Sequence, residues 1–340
     1  MNNTNSSFDT LLAEIVSTEN YQKTEVIQSL WSGYGEIARY QIRPPLTGRK
    51  GAFVVKHIQP PKVENHPRGW SGETSHQRKI SSYNVEAHFY QYWANNIKPK
   101  CALPQYIGQA NLSKSSFAKM IVMSDLDYEG FPRRLATASV EQAKVCLRWL
   151  AQFHAINLQY QPDATWPQDL WPIGSYWHLS TREAEHKSMQ DSPLKQAAAI
   201  LDEKLNSINF KTLVHGDAKI ANFCFSTDLT KVAAVDFQYV GGGCGVKDVI
   251  YFLGSCLNEA VLSQEFDQLI DYYFTELNSA LSKTKMAKHI NHVEQEWRPL
   301  VCIAWADFER FLAGWAPTHV KRTHFSHQLT LKALASLSNR

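Results

Sequence analysis

Between residues 212 and 238 the chain reads TLVHGDAKIANFCFSTDLTKVAAVDFQ, and three side chains in it stand in an order that suits phosphoryl transfer. Asp217 comes first, Asn222 follows five residues later, and Asp236 lies fourteen further on. One carboxylate, Asp217, would receive or orient the proton of an attacking hydroxyl. The amide oxygen of Asn222 and the carboxylate of Asp236 would hold Mg²⁺ against nucleotide phosphates, because that ion takes hard oxygen ligands and bridges phosphate oxygens. Taken singly, each is an ordinary turn residue, since Asp and Asn bond their own backbone. Together, in this order, they make a site.

The elements that would position them are short. Thr212–Val214 and Lys231–Val235 are apolar, β-branched runs bounded by turn residues, the pattern of buried strands. Each run leads to a carboxylate, which places that carboxylate at the edge of a core. H-G-D-x-x-x-x-N followed by V-D-F-Q resembles the aminoglycoside phosphotransferase and choline kinase superfamily. The finer detail (HGDAKIANFCF, VDFQ, DVIYFL) is most similar to its ecdysteroid-kinase-like, or CHK-like, branch. The resemblance covers nearly the whole chain. It implies an α+β, two-lobed protein-kinase-like fold, with a small β-rich N-lobe over residues 1–126 and a larger, mainly helical C-lobe over 127–340. It also implies ATP and Mg²⁺ as cofactors and a hydroxyl group on a small molecule as acceptor.

Upstream, residues 7–18 carry Phe8, Leu11, Leu12 and Ile15 at helical spacing. Alternating runs flank Ser32-Gly33-Tyr34-Gly35, a β-hairpin whose glycines, Gly33 and Gly35, would cover the phosphates in a kinase-like fold; an ordinary hairpin turn reads equally well. GAFVVKHI is a strand with Lys56 near its end. By resemblance, Lys56 addresses the phosphates and Glu86, midway along a helical segment, holds it. Residues 59–76, rich in Pro, Gly and charge, form a surface loop with no assigned role. FAKMIVMSDL closes the sheet, and the backbone from Met123 to Leu126 would offer adenine its hydrogen bonds, as the family's hinge does.

Downstream, Ser139 and Gln142 form a capping box for a helix that carries His154 on its apolar face, which reads as a core histidine. Residues 160–180, with Trp166, Trp171 and Trp177, form no regular element and read as loop packing or a substrate wall. His215 packs beneath the catalytic loop. Lys219 reads as solvated, with contact to the γ-phosphate as the alternative. Gly241–Gly243 and Gly245 suggest a tight or mobile turn. By resemblance Asp248 braces the loop; the plain alternative is a helix N-cap. Helices are expected over 264–282, 291–315 and 319–338. Trp297, Trp305, Trp315, Asp307 and Glu309 could form a cage for a quaternary amine, a minor reading because Gln238 stands where choline kinases are acidic.

Composition removes several classes. With 340 residues, 44% hydrophobic and 20% charged, the chain is long enough for two folded units. A net charge of +3 gives no support to nucleic-acid binding. No apolar run is long enough to span a bilayer, so no membrane partner is expected. Six scattered cysteines suit reduced thiols and a cytoplasmic location. Only twelve residues separate Asp236 from Asp248, too few to present a peptide, so a protein kinase is disfavoured. The rival from another class is an inactive nucleotide-binding module of the pseudokinase kind. Nothing in the sequence specifies an oligomeric state.

Overall fold

The computed structural model describes residues 5–43, 51–61, 73–113 and 116–338, and divides into two compact units, Met1–Arg133 and Arg134–Arg340. Of the expected loop 59–76, residues 62–72 lie outside the described residues.

The first unit is built on a five-stranded antiparallel sheet in the order β1-β2-β3-β5-β4, with β1 Tyr21–Ser29, β2 Gly35–Ile42, β3 Ala52–Ile58, β4 Tyr106–Asn111 and β5 Lys119–Ser124. Helix α1 (Asn5–Val16) covers one face, where Leu12 and Val16 pack on Ala38, Tyr40, Ile42, Phe53, Val55, Met120 and Val122. The period of two along a strand explains the division of β3. Phe53 and Val55 face α1, and Lys56 faces the opposite side, where α2 (Glu73–His88) brings Glu86 to it. The chain then runs through a π-helical turn, Phe89–Trp93, into α3 (Ala94–Ile97).

The expected division after Leu126 and the observed one after Arg133 differ by a short segment that the first unit holds tightly. The Arg39 guanidinium on β2 bonds Asp125 (2.5 Å) and Asp127 (2.5 Å), and also reaches Glu25 on β1. The Gln41 amide donates to the Tyr128 hydroxyl at 2.7 Å.

The second unit is mainly helical: α4 Val140–Asn157, α5 Glu183–Ser188, α6 Pro193–Gln196, α7 Ala198–Asn206, α8 Val246–Cys256, α9 Glu259–Leu281, α10 Ile290–Trp297, α11 Leu300–Trp315 and α12 His324–Ser338. The capping box at Ser139 is formed, with its hydroxyl accepting from the Gln142 N–H. The helix expected over 291–315 is two, because Pro299 has no N–H to give the ladder. Two small sheets carry the loops of interest. One has the order β10-β7-β6 (β6 Gln159–Tyr160, β7 Phe210–Val214, β10 Gly241–Gly243), and the other pairs β8 (Phe223–Phe225) with β9 (Val232–Ala234).

The glycine run is therefore a buried strand and not a mobile turn. Its register sets Gly241 opposite Val214 and Gly243 opposite Thr212. Glycine is required because the 166–174 segment lies directly on it: a Cβ on Gly241 would sit 2.1 Å from the Trp171 carbonyl oxygen. Among the described residues no helix is long and apolar enough to cross a membrane, and none of the six cysteines is in a disulfide.

Candidate active site

In the second unit, β7 ends at Val214 and the next residues turn back on themselves. The Asp248 carboxylate, in the first turn of α8, accepts from the N–H groups of His215 (2.5 Å) and Gly216 (2.9 Å). Its second tie is to His154 Nε2 at 3.1 Å, whose Nδ1 lies 2.8 Å from the Tyr273 hydroxyl. Asp248 is thus the brace of the loop rather than a cap, since Gly245 occupies the N-cap position. His154 is a fully buried, doubly bonded core residue.

The turn itself needs Gly216. Its φ is +78°, and a Cβ there would stand 2.0 Å from the Tyr239 carbonyl oxygen. This close approach ties the loop to the segment that follows Asp236. His215 makes the same link from its side chain: Nε2 donates to the Val235 carbonyl at 2.9 Å, which leaves Nδ1 to accept from the Asp217 N–H at 3.3 Å. The Val235 N–H donates to the Asn222 carbonyl at 3.0 Å. Asp217, Asn222 and Asp236 are brought together by these backbone and histidine bonds.

Asp217 is 7% exposed. Its Oδ2 accepts from Lys219 Nζ at 2.9 Å and from Asn222 Nδ2 at 3.2 Å, and the same amide donates to the Asp217 carbonyl at 2.7 Å. With its amide nitrogen so engaged, Asn222 presents its oxygen as a ligand. Asp236 has a left-handed backbone, φ +68°, and its Oδ1 accepts from the Gln238 side-chain amide at 2.7 Å. Asn222 and Asp236 fit Mg²⁺: both offer hard oxygens, and an ion that keeps waters and phosphate ligands needs only one or two protein carboxylates. No cluster of three His, Cys, Asp or Glu side chains that could hold a metal occurs among the described residues.

Electrostatics suit a base. Burial pushes the Asp217 carboxyl above its ordinary range; the Lys219 ammonium opposes this, and the nearby Asp236 charge adds to it. Burial would lower Lys219, but Asp217 and Asp236 outweigh it and hold the ammonium protonated above its usual value.

In the first unit, Lys56 Nζ donates to Glu86 Oε2 at 2.6 Å, and both side chains are 2% exposed. The glycine turn is formed. Ser32 and Gly33 are left-handed, and Gly35 (φ +125°) lies so close to β3 that a Cβ would meet the His57 carbonyl oxygen at 2.0 Å. Gly33 has nothing within 4 Å of where its Cβ would be. Tyr34 between them is buried and bonds His76 of α2 at 2.7 Å. At the end of the sheet, Met123 lies in β5, paired with Val54. The Leu126 carbonyl is taken by the N–H groups of Phe131 (2.8 Å) and Glu129 (3.1 Å). A hinge that offers adenine the backbone from Met123 to Leu126 would therefore have this carbonyl already engaged.

One minor reading fails, and of the two readings of residues 160–180 the packing one holds for Trp171 and Trp177. The aromatic and carboxylate cage does not form: Trp297 Nε1 donates to the Phe210 carbonyl, Trp305 to Ser326, Asp307 pairs with Arg310, and Glu309 with Arg322. Trp171 and Trp177 are packing residues. Trp171 Nε1 donates to the Gln238 carbonyl at 2.8 Å, and buried Trp177 donates to Asp307 at 3.1 Å.

Sequence reasoning also missed groups beside Asp217. The Tyr251 hydroxyl faces the Asp217 carboxylate and the Tyr176 hydroxyl, and burial raises both phenols. Ser255 accepts from the Ile220 N–H at 2.8 Å. A signal existed: Asp248, Tyr251 and Ser255 recur at i, i+3 and i+7 along α8, a polar stripe on one face of a helix whose other residues are apolar apart from Lys247 and Gly254.

With this geometry in view, the similarities to known proteins can be placed. The description "ecdysteroid kinase-like family" matches residues 71–168 and 173–286, more than half of the chain. No curated protein matches it. Among solved structures it is similar to a choline kinase from Cryptosporidium parvum Iowa II, at TM-score 0.51 and 10% identity over 98% of this chain and 95% of that one. An amicoumacin kinase in complex with AMP-PNP and Ca²⁺ gives 0.49 at 10% identity over 98% and 94%. An aminoglycoside-3'-phosphotransferase of type VIII gives 0.47 at 14% over 86% and 98%. The fold is α+β and kinase-like with two lobes. The chain belongs to the ecdysteroid kinase-like family.

Proposed function

We propose that the chain is an ATP-dependent kinase that phosphorylates a hydroxyl on a small molecule. The observation that carries this is the arrangement at the end of β7: a buried Asp217 bonded to Lys219 and Asn222, with the segment before Asp236 stapled to it by His215. A binding module without turnover would have no use for a buried carboxylate kept poised in this way.

In this reading Asp217 orients the acceptor hydroxyl and takes its proton as the bond to phosphorus forms. Phosphoryl transfer has a loose transition state, so positioning is the larger part of its work. Lys219 compensates the Asp217 charge and is placed to meet a transferring phosphoryl group. Asn222 and Asp236 hold Mg²⁺, which would neutralise charge on the ATP phosphates when bound. In the first unit Lys56, kept in place by Glu86, is assigned to nucleotide phosphates, and Gly33 and Gly35 would let backbone N–H groups come near phosphate oxygens. The Leu126 N–H and the Met123 backbone serve the adenine. Six cysteines with no disulfide among them fit a reducing, cytoplasmic setting.

The test is ADP release from Mg-ATP across sugars, amino alcohols, hydroxy acids and sterol-like alcohols, with Asp217→Ala in parallel. Turnover that vanishes in the variant supports the kinase. Absence of both turnover and Asp217-dependent ATP hydrolysis would return the reading to an inactive nucleotide-binding module.

A further inference from the structure

Asp217 has a second cationic neighbour besides Lys219. Lys321, in the turn between α11 and α12, is half-buried with its ammonium 5.4 Å from the centre of the Tyr251 ring, within electrostatic range of both Asp217 and Lys219. It forms no ion pair with any carboxylate among the described residues, and burial lowers its pKa. Tyr251 in turn faces Asp217 and stacks edge-on with Tyr176 at 5.4 Å.

The buried carboxylates of this unit other than Asp217 already have partners. They are Glu185, Asp248, Asp307 and Glu309. Glu185 pairs with Arg182 at 3.0 Å, Asp307 with Arg310 at 2.9 Å, and Glu309 with Arg322 at 2.7 Å, while Asp248 is spent on His154 and two backbone N–H groups. Asp236, half-buried beside Asp217, accepts from the neutral Gln238 amide and in the kinase reading is spent on Mg²⁺, so a cationic acceptor arriving at Asp217 would meet the Lys321 ammonium with no further buried acid to offset it. An anionic one would find that ammonium unpaired, above a tyrosine whose hydroxyl already faces the base.

We propose that Lys321 selects the acceptor: resting on the kinase reading of Asp217, its ammonium binds an anionic group, a carboxylate or phosphate, that the acceptor carries near its reacting hydroxyl. Tyr251 and Tyr176 supply the wall against which the rest of the acceptor lies. Lys321 is a specificity residue for substrate charge, and polycationic or quaternary-amine acceptors are poor ligands of this chain.

The test uses the full chain and three probes of one shape, 4-(hydroxymethyl)benzoate, its amide and 4-(hydroxymethyl)benzylamine, which share ring and hydroxyl but carry charges of −1, 0 and +1. Binding is measured by calorimetry without nucleotide, so the result stands apart from whether phosphoryl transfer occurs; turnover with Mg-ATP is scored separately and tests the kinase reading alone. The expected order is benzoate, amide, benzylamine, with at least about tenfold between the ends, equivalent to about 1.4 kcal/mol. Lys321→Met should abolish that order, Lys321→Arg should retain it, and Lys321→Glu should reverse it, all with unchanged Mg-ATP affinity. Benzylamine binding as tightly as benzoate, no measurable binding of any probe, or a Lys321→Met variant that keeps the native order would overturn the assignment. So would a Lys321→Met variant that loses Mg-ATP affinity with the probe order intact, which would place Lys321 on the nucleotide.

Discussion

Replacing Glu86 by Leu isolates the buried ion pair at Lys56 and separates its structural from its functional part. The two groups lie 2.6 Å apart with 2% of each side chain exposed, so water screens them little. At an effective dielectric of about 20 their attraction is about 6 kcal/mol, most of which offsets the loss of hydration on burying both charges. Removing one partner leaves the other charge buried without compensation, at about 3–5 kcal/mol. Glu86→Leu and Lys56→Met should each destabilise the first unit by that amount. The double variant should recover most of it, because no bare charge remains. The assay is native-state hydrogen exchange on β3 and α2, which reads this unit without assuming that the whole chain unfolds in one step. Calorimetric titration of Mg-ATP supplies the functional arm: the double variant should be as stable as the native chain yet bind nucleotide poorly. A loss below about 1 kcal/mol in Glu86→Leu, the size of an exposed pair, would refute the electrostatic argument. Native Mg-ATP affinity in the double variant would remove Lys56 from the nucleotide site.

Asp217→Asn should lower kcat by about 10²- to 10⁴-fold, the range of general-base removal, and yet stabilise the protein at neutral pH. Burial holds this carboxyl above its unfolded value, so its contribution is fully present below the unfolded pKa and is lost as pH rises through the folded one. The stabilisation in urea melts should shrink as pH falls through the folded pKa and vanish below the unfolded value of 3.8, where the native carboxyl is protonated in both states; a less stable variant at pH 7.5 would contradict this. Lys219→Met removes the charge that opposes the effect of burial, so the acid limb of kcat/KM should move to higher pH; a limb that stays or moves down would show that Lys219 does not tune Asp217. Gly216→Ala combines left-handed strain of about 1–3 kcal/mol with a 2.0 Å approach to the Tyr239 carbonyl, and should cost both turnover and thermal stability. Full activity with an unshifted Tm would mean that the loop is not held where the structure has it.

What could be read from the sequence was local. Asp217, Asn222 and Asp236 lie within twenty residues, between strands whose apolar runs are self-evident, and the loop that joins them is closed by bonds among near neighbours such as His215 and Val235. Lys56 and Glu86 needed the resemblance, since nothing in thirty intervening residues says that a strand lysine and a helix glutamate should meet. What escaped was set by contacts between distant segments. The run Gly241–Gly243 has the composition of a turn, and only the Trp171 backbone lying across it makes glycine a requirement of close packing in a strand. The tryptophans and carboxylates of α10 and α11 have the composition of an amine cage, but each carboxylate has an arginine three or thirteen residues on that takes its charge. Lys321 stands a hundred residues from Asp217, in a turn that no periodicity marks. Composition describes which charges a chain has; the fold decides which are already paired. In the second unit that accounting leaves the Lys321 ammonium without an ion pair among the described residues, and the charge proposed for the acceptor rests on it.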